Sequence, residues 1–466
     1  MPEKKLQRGL TNRHVQLIAI SGAIGTGLFM GSGKTINAAG PSVIIVYAII
    51  GFMLFFVMRA MGELLLSNTS YRSFIDFAAD LLGPWAGFFI GWTYWLCWIV
   101  TGTADIIAIA GIMDAVNADS YMQYWFPTLN PWVPAILLIF LFLMLNLVAV
   151  KLFGELEFWF SIIKIIAIIA LILVGVYLIS INFTSPNGAT ASLLNVWNDG
   201  NIFPKGVLGF FAGFQIAIFA FVGIELAGTT AAEVRTPEIT LPKAINSIPI
   251  RVILFYIISL LIIMSVTPWD KINPQKSPFV EMFVLIGFPF AAGVINFVVL
   301  TSAASSANSG VFSTSRMLFG LSIKRGAPKL FTKLSRFHIP ANALLFSCIC
   351  MLLSYGLVST VPTIMEAFTI MTTVSAILFI FVWSIILLSY IVYRRKKPEL
   401  HEKSIYKMPG GTFMCAVVLA FFAFILIILT LEPDTRIALT YTPLWFVVLA
   451  ICYFFGAKKH YHYDKS

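Results

Sequence analysis

The sequence predicts an all-α integral membrane protein of about twelve transmembrane helices, with the first and the sixth broken. Three observations carry this. Of 466 residues, 59% are hydrophobic and only 11% charged, against about 25% charged in soluble globular domains. Apolar runs of about 18–25 residues, the length that crosses hydrocarbon as a helix, recur along the whole chain. Two of these runs carry glycine-rich interruptions. A helix in lipid tolerates such breaks only where the freed N–H and C=O groups face protein or a water-filled cavity.

The runs lie near 16–36, 41–66, 84–110, 132–150, 155–181, 206–232, 247–267, 279–308, 341–359, 363–393, 412–431 and 437–457. Helical patterning in the eighth can continue through Arg316 to Phe319. No soluble domain fits in the loops. Residues 1–15 read as an N-terminal segment, 16–457 as one transmembrane domain and 458–466 as a C-terminal tail. The N-terminus is polar up to Arg13 and lacks a small-residue cleavage site. Its first span therefore reads as a mature helix and not a removed signal peptide.

Lys/Arg asymmetry sets the expected orientation. With the N-terminus inside, the outer loops hold only Lys34, Lys205, Lys271, Lys276 and Arg436. Lys164 lies within the membrane, and the rest of the 31 Lys and Arg residues fall on the inside, including the Arg394–Lys397 run. An even number of spans returns the C-terminus to the cytoplasm. The same bias accounts for much of the +10 net charge, so no nucleic-acid partner is implied; the lipid bilayer is.

Enzyme, metal and cofactor signals fail on inspection. Cys97, Cys348, Cys350, Cys415 and Cys452 all fall in apolar spans, without metal spacing or an extracellular pairing pattern, and read as small buried hydrophobes. Gly31-Ser32-Gly33-Lys34-Thr35 looks like the tail of a phosphate loop, but Leu28 stands where that motif needs glycine and no strand precedes it. His14, His338, His401, His460 and His462 all lie in cytoplasmic segments. None is expected to relay protons within the membrane.

The breaks say what can bind. The first is Ser21-Gly22-Ala23-Ile24-Gly25-Thr26-Gly27; the second is Phe219-Ala220-Phe221-Val222-Gly223-Ile224-Glu225, five spans later. Matching breaks in two halves of a chain point to a secondary transporter's substrate site. The half-helix after Gly22, Gly25 and Gly27 opens with unpaired N–H groups and its positive dipole end, suited to a carboxylate. Carbonyls freed at Phe219, Ala220 and Val222 suit an ammonium. The expected substrate is a small zwitterion, an α-amino acid. Close helix packing is the competing role for these glycines.

Ionisable groups inside a membrane are expensive and by default functional. Lys164 is nine residues beyond Glu155, roughly 13–14 Å into the bilayer at 1.5 Å per residue. Low dielectric disfavours its charged form, so it is a candidate to lose and regain a proton during transport; a structural ion pair is the alternative. Glu225 follows the second break, where it can hold a substrate ammonium, gate the cavity or cap freed donors. Asp105 lies toward the outer end of the third span, as a vestibule group or a solvated helix end. Glu63, Glu155 and Glu157 lie near the cytoplasmic face and favour interfacial pairing with Arg59 or Lys151. The small, hydroxyl-rich face of the eighth span makes Ser305, Asn308 and Ser309 cavity-lining candidates, or a tight helix contact. Thr372, Thr373 and Ser375 in the tenth span are similar.

These motifs carry a resemblance. Gly22-Ala23-Ile24-Gly25-Thr26-Gly27-Leu28-Phe29, Phe219 to Glu225, Thr236-Pro237-Glu238 and Leu241-Pro242-Lys243-Ala244 resemble the amino acid permeases of the amino acid–polyamine–organocation superfamily, over essentially the whole chain. Leu10 to His14, Met30 to Thr35, Asn246 to Arg251, the long run Thr301 to Gly320, and His401 to Pro409 narrow the resemblance to bacterial members that carry glycine and small D-amino acids. The resemblance implies a LeuT-type fold, with residues 16–181 repeated in inverted sense as 206–393 and two further helices in 412–457. It implies proton-driven uptake of glycine, D-alanine, D-serine and D-cycloserine across a bacterial cytoplasmic membrane. In it Lys164 stands where sodium-coupled relatives bind Na⁺. The chain departs from the family pattern in a longer loop from Gly111 to Trp132 and in Ser21, where glycine is usual.

The implied cycle is alternating access. Binding occludes the site, the bundle of spans one, two, six and seven rocks inward, and proton release from Lys164 weakens the site. Four alternatives stand beside it. A permease of the same fold with an L-amino acid substrate keeps every motif. An obligate exchanger keeps the breaks without needing a proton. A sodium-coupled carrier is disfavoured by a cation at position 164, and a membrane sensor by the lack of an output domain.

Overall fold

The computed structural model describes residues 24–68, 70–71, 73–115, 132–148, 150–186, 188–197, 201–229, 236–285, 289–358, 361–459 and 461. Ser21, Gly22 and Ala23 lie outside the described residues, as does most of the expected long loop after the third span. Among the described residues the protein is helical apart from one isolated bridge between Thr184 and Thr190.

Helical segments occupy all twelve expected spans. The first span holds α1 (Thr26–Phe29) and α2 (Gly31–Ala39); α3 (Val43–Ser67) is the second. After a short α4 (Phe74–Leu82) come α5 (Pro84–Ala115), α6 (Trp132–Val148) and α7 (Val150–Ser180). The sixth span is α8 (Gly206–Ala217) and α9 (Leu226–Thr229), and α10 (Pro237–Asn246) leads into the seventh. That span runs as α11 (Ile248–Arg251), a π-helical segment (Val252–Ile258) and α12 (Ser259–Val266). Then follow α13 (Pro278–Leu285), α14 (Pro289–Ile323), α15 (Ala341–Val358), α16 (Ile364–Lys396), α17 (Pro398–Lys403), α18 (Gly411–Ile428) and α19 (Pro433–Phe455). The sixth span lies five spans after the first. Each half opens on a broken helix.

Sequence periodicity explains how these helices face lipid and protein. On α7, Ile166, Ile169, Leu173 and Val176 are exposed, whereas Glu157, Ser161, Lys164, Ile168 and Leu171 are buried. Both sets step by three and four residues, the spacing of one helix face. The apolar stripe turns outward to lipid and the polar positions turn inward, reversing the soluble pattern.

Two boundaries differ from the sequence expectation. The eighth span is not 279–308: Pro289 starts a separate 35-residue helix, α14, and Pro278–Leu285 forms its own short helix. Proline at the first position of each helix explains both starts, since its missing N–H is not needed there. The other difference is α4, an unexpected helix between spans two and three. Ser73 and Asp76 close its N-terminus as a reciprocal capping box, and Gly83 at φ 111° ends it. Asp76 pairs with Lys324 just beyond α14, and Asp80 with Lys397 beside α16 at 2.6 Å. Thus α4 clamps the ends of spans eight and ten on the side that the Lys/Arg bias assigns to the inside.

Candidate functional site

The second predicted break is present, and of the first the described residues show Ile24, Gly25 and the helix start after them. Gly25 is extended (φ −120°, ψ −168°) and precedes α1 with no side chain capping the helix start. The Leu28 and Phe29 N–H groups both turn back to the Gly25 carbonyl, at 3.2 and 3.3 Å. At the second break, α8 tightens into a 3₁₀ turn at Phe219–Phe221. Val222 is then extended (φ −61°, ψ 136°), and Gly223 takes φ 99°, a conformation that glycine adopts without a Cβ penalty.

The breaks touch. A Cβ on Gly27 would lie 2.6 Å from the Ala220 Cα and 2.8 Å from its nitrogen. Only a residue without a side chain allows this approach, so Gly27 serves the contact between breaks. Gly25 is different: a Cβ there would meet nothing within 4 Å. The space beside the start of α1 is open.

Glu225 is fully buried and caps the second break: its carboxylate accepts from the Gly223 N–H and the Tyr94 hydroxyl, each at 3.2 Å. Of the carbonyls expected to face an ammonium, Phe219 accepts from the Val222 N–H at 3.0 Å and Ala220 from the Tyr256 hydroxyl at 2.7 Å. Each carbonyl oxygen has a second lone pair, so these bonds leave acceptor capacity at the break.

Lys164 is fully buried in a polar cluster between α7 and α14. Its ammonium donates to the Ser305 hydroxyl at 3.1 Å, and Ser305 donates to Glu157 Oε2 at 2.7 Å. The Asn308 side-chain amide donates to Glu157 Oε1 at 3.2 Å, while its own oxygen accepts from Asn146 at 2.7 Å. One turn before Ser305, the Ser302 hydroxyl donates to the Ile24 carbonyl at 3.3 Å. The first break and the lysine cluster therefore share one face of α14.

Several sequence expectations need correction. Glu157 is not interfacial: it is 1% exposed and joins the Lys164 cluster. Helix periodicity could have shown this, because 157 and 164 are two turns apart on one face. Glu63 is buried and pairs with His401 Nδ1 at 2.5 Å, not with Arg59; it also accepts from the Tyr390 hydroxyl (2.9 Å) and the Met408 N–H (2.7 Å). Asp105 is not a solvated helix end: it is fully buried and accepts from the Thr26 hydroxyl at 2.7 Å, beside the first break. Ser305 and Asn308 hydrogen-bond within the lysine cluster. Ser309 is buried beside them. Ser375 binds Thr101 across spans ten and three at 2.7 Å, while Thr372 and Thr373 bond back to their own helix. Tyr94 and Tyr256 were not foreseen, since an apolar helix gives no sign of which aromatic faces a distant break.

Comparison with known proteins identifies the family. The model of the amino acid permease family matches residues 14–465. The D-serine/D-alanine/glycine transporter of Escherichia coli (strain K12) is 64% identical, over 98% of this chain and 95% of its own length. Amino-acid permease AapA of Bacillus subtilis (strain 168) is 51% identical, over 97% and 95%. The DL-alanine permease SerP2 of Lactococcus lactis subsp. cremoris is 42% identical, over 97% and 96%. The chain, an all-α multi-pass membrane protein with two abutting helix breaks, belongs to the amino acid permease family.

Proposed function

We propose that this protein is a proton-coupled symporter that imports glycine, D-alanine and D-serine, and with them D-cycloserine, across the bacterial cytoplasmic membrane. The observation that carries the reading is the contact between the breaks at Gly27 and Ala220, with open space at Gly25. On this reading N–H groups at the start of α1 and carbonyls of the second break lie within one head group's reach. A carboxylate meets the first set and an ammonium the second. The identity to the Escherichia coli transporter supports the substrate class.

On this reading residues 16–457 are the transport unit, as repeats 16–181 and 206–393 with helices 412–457, and both termini are cytoplasmic. Lys164 is the coupling group. Protonated, it holds Ser305 of α14 and Glu157 of α7 in place, and Ser302, one turn from Ser305, holds the carbonyl of Ile24 at the first break. Loss of the proton loosens that face and weakens the substrate site. The differential affinity between the outward- and inward-open states is what drives net uptake. A relative that carries both hands of alanine favours one addition: L-alanine is expected to compete, less well than D-alanine.

The test is uptake of tritiated glycine into proteoliposomes with unlabelled competitors. D-alanine, D-serine and D-cycloserine should block it and L-leucine should not. Equal block by L-leucine, or no glycine uptake, would contradict the reading.

A further inference from the structure

The helix tied to the second break from outside is the seventh span, and it is irregular. Val252–Ile258 is a π-helix of seven residues, a form that is rare and frequent at functional sites. Each residue inserted into an α-helix turns the rest of the helix by about 100°, so the segment re-aims the side chains it carries. Two neighbours accommodate it. Gly51 of α3 abuts Val252, where a Cβ would lie 2.8 Å from both methyl carbons. The Ser259 hydroxyl donates to the carbonyls of Phe255 (2.5 Å) and Tyr256 (3.1 Å), groups whose usual helical partners the irregularity displaces.

The side chain so aimed is Tyr256. It is fully buried, and its hydroxyl donates to the Ala220 carbonyl at 2.7 Å. Its ring stacks on Phe221 with centroids 4.8 Å apart and planes within 7°, and it lies 5.3 Å from Tyr47. Two consecutive residues of the break, Ala220 by its carbonyl and Phe221 by its ring, are thus held by one tyrosine. Ala220 is also the residue against which Gly27 rests.

We propose that Tyr256 is a positioning residue for substrate binding: aimed by the π segment, it fixes the orientation of the second break's carbonyls toward the substrate ammonium. The proposal rests on the reading of the breaks as the head-group site. Tyr256 acts through Ala220. Its hydroxyl holds the plane of the Ala220–Phe221 peptide, so the neighbouring acceptors are set before substrate arrives and little ordering is left for binding to supply.

The test compares Tyr256→Phe with Tyr47→Phe in the full-length protein in proteoliposomes, with glycine as the probe and thermal unfolding measured alongside. Both variants keep their rings; only the first removes a bond to the break. Tyr256→Phe is expected to raise the KM for glycine about tenfold, the loss of one buried hydrogen bond, with Vmax per folded protein within about twofold of wild type. Tyr47→Phe should leave KM unchanged. An unchanged KM in Tyr256→Phe, an equal change in both variants, or a fall in Vmax at constant KM overturns the proposal while wild-type uptake leaves the head-group reading standing. Absence of glycine uptake by wild type overturns that reading and this proposal together.

Discussion

Gly25 and Gly27 sit two residues apart in one motif and have opposite surroundings. Gly27→Ala drives a methyl group into backbone at Ala220, which cannot rotate aside, and overpacking of this kind costs about 1–3 kcal/mol. The expected result is a lower unfolding temperature together with lost uptake. Gly25→Ala meets open space and a backbone that alanine adopts freely. Thermal unfolding should be unchanged while glycine affinity falls, because the methyl enters the proposed head-group site. Identical behaviour of the two variants would refute this division. Glu225 poses a second residue-scale question, charge or cap. Glu225→Gln keeps an acceptor for the Gly223 N–H and is expected to retain uptake; Glu225→Ala leaves that donor unmatched and should lose most of it. Equal loss in both would show that the charge matters. Sequence alone identified both glycines and Glu225 from their place in apolar runs. It could not separate contact from cavity, because that depends on Ala220, nearly two hundred positions away.

At the level of the elements, one buried carboxylate ties several helix ends together. Glu63 on α3 collects the Tyr390 hydroxyl of α16, the His401 ring of α17 and the Met408 N–H. Glu63→Ala leaves these groups without their acceptor, at about 1–3 kcal/mol for each buried donor left unmatched. The expected outcome is a lower unfolding temperature and faster amide exchange in 398–410; unchanged exchange there would refute the role. The helices themselves were legible, since length and hydropathy suffice to mark a span. Their ends were less so: Pro289 and the Ser73–Asp76 capping box are local signals that a count of apolar residues overlooks. The π segment in span seven left no mark in the sequence at all. Its residues, Val252 to Ile258, are as apolar as any other turn, and the irregularity comes from what they pack against.

For the whole molecule, the buried lysine cluster and the first break are both held by one face of α14. Lys164 and Glu157 on α7 meet Ser305 and Asn308 on α14, and Ser302 on the same helix grips the Ile24 carbonyl. Asp105 on α5 reaches the same break through Thr26. On the proposed reading, a proton leaving Lys164 would change the charge of this face without needing to touch substrate. Membrane character, paired breaks and the lysine were all readable in the chain. That Glu157 and Asp105 belong with them was not, because distance from a span's end does not tell which helix face a residue presents.

The most direct test is tritiated glycine uptake into sodium-free proteoliposomes under an imposed inward proton gradient, wild type beside Lys164→Ala. The account predicts accumulation driven by the gradient in wild type, and in the variant only counterflow or downhill equilibration that ignores it. A variant that still concentrates glycine against its gradient, or a wild type indifferent to protons, would contradict the coupling role of Lys164.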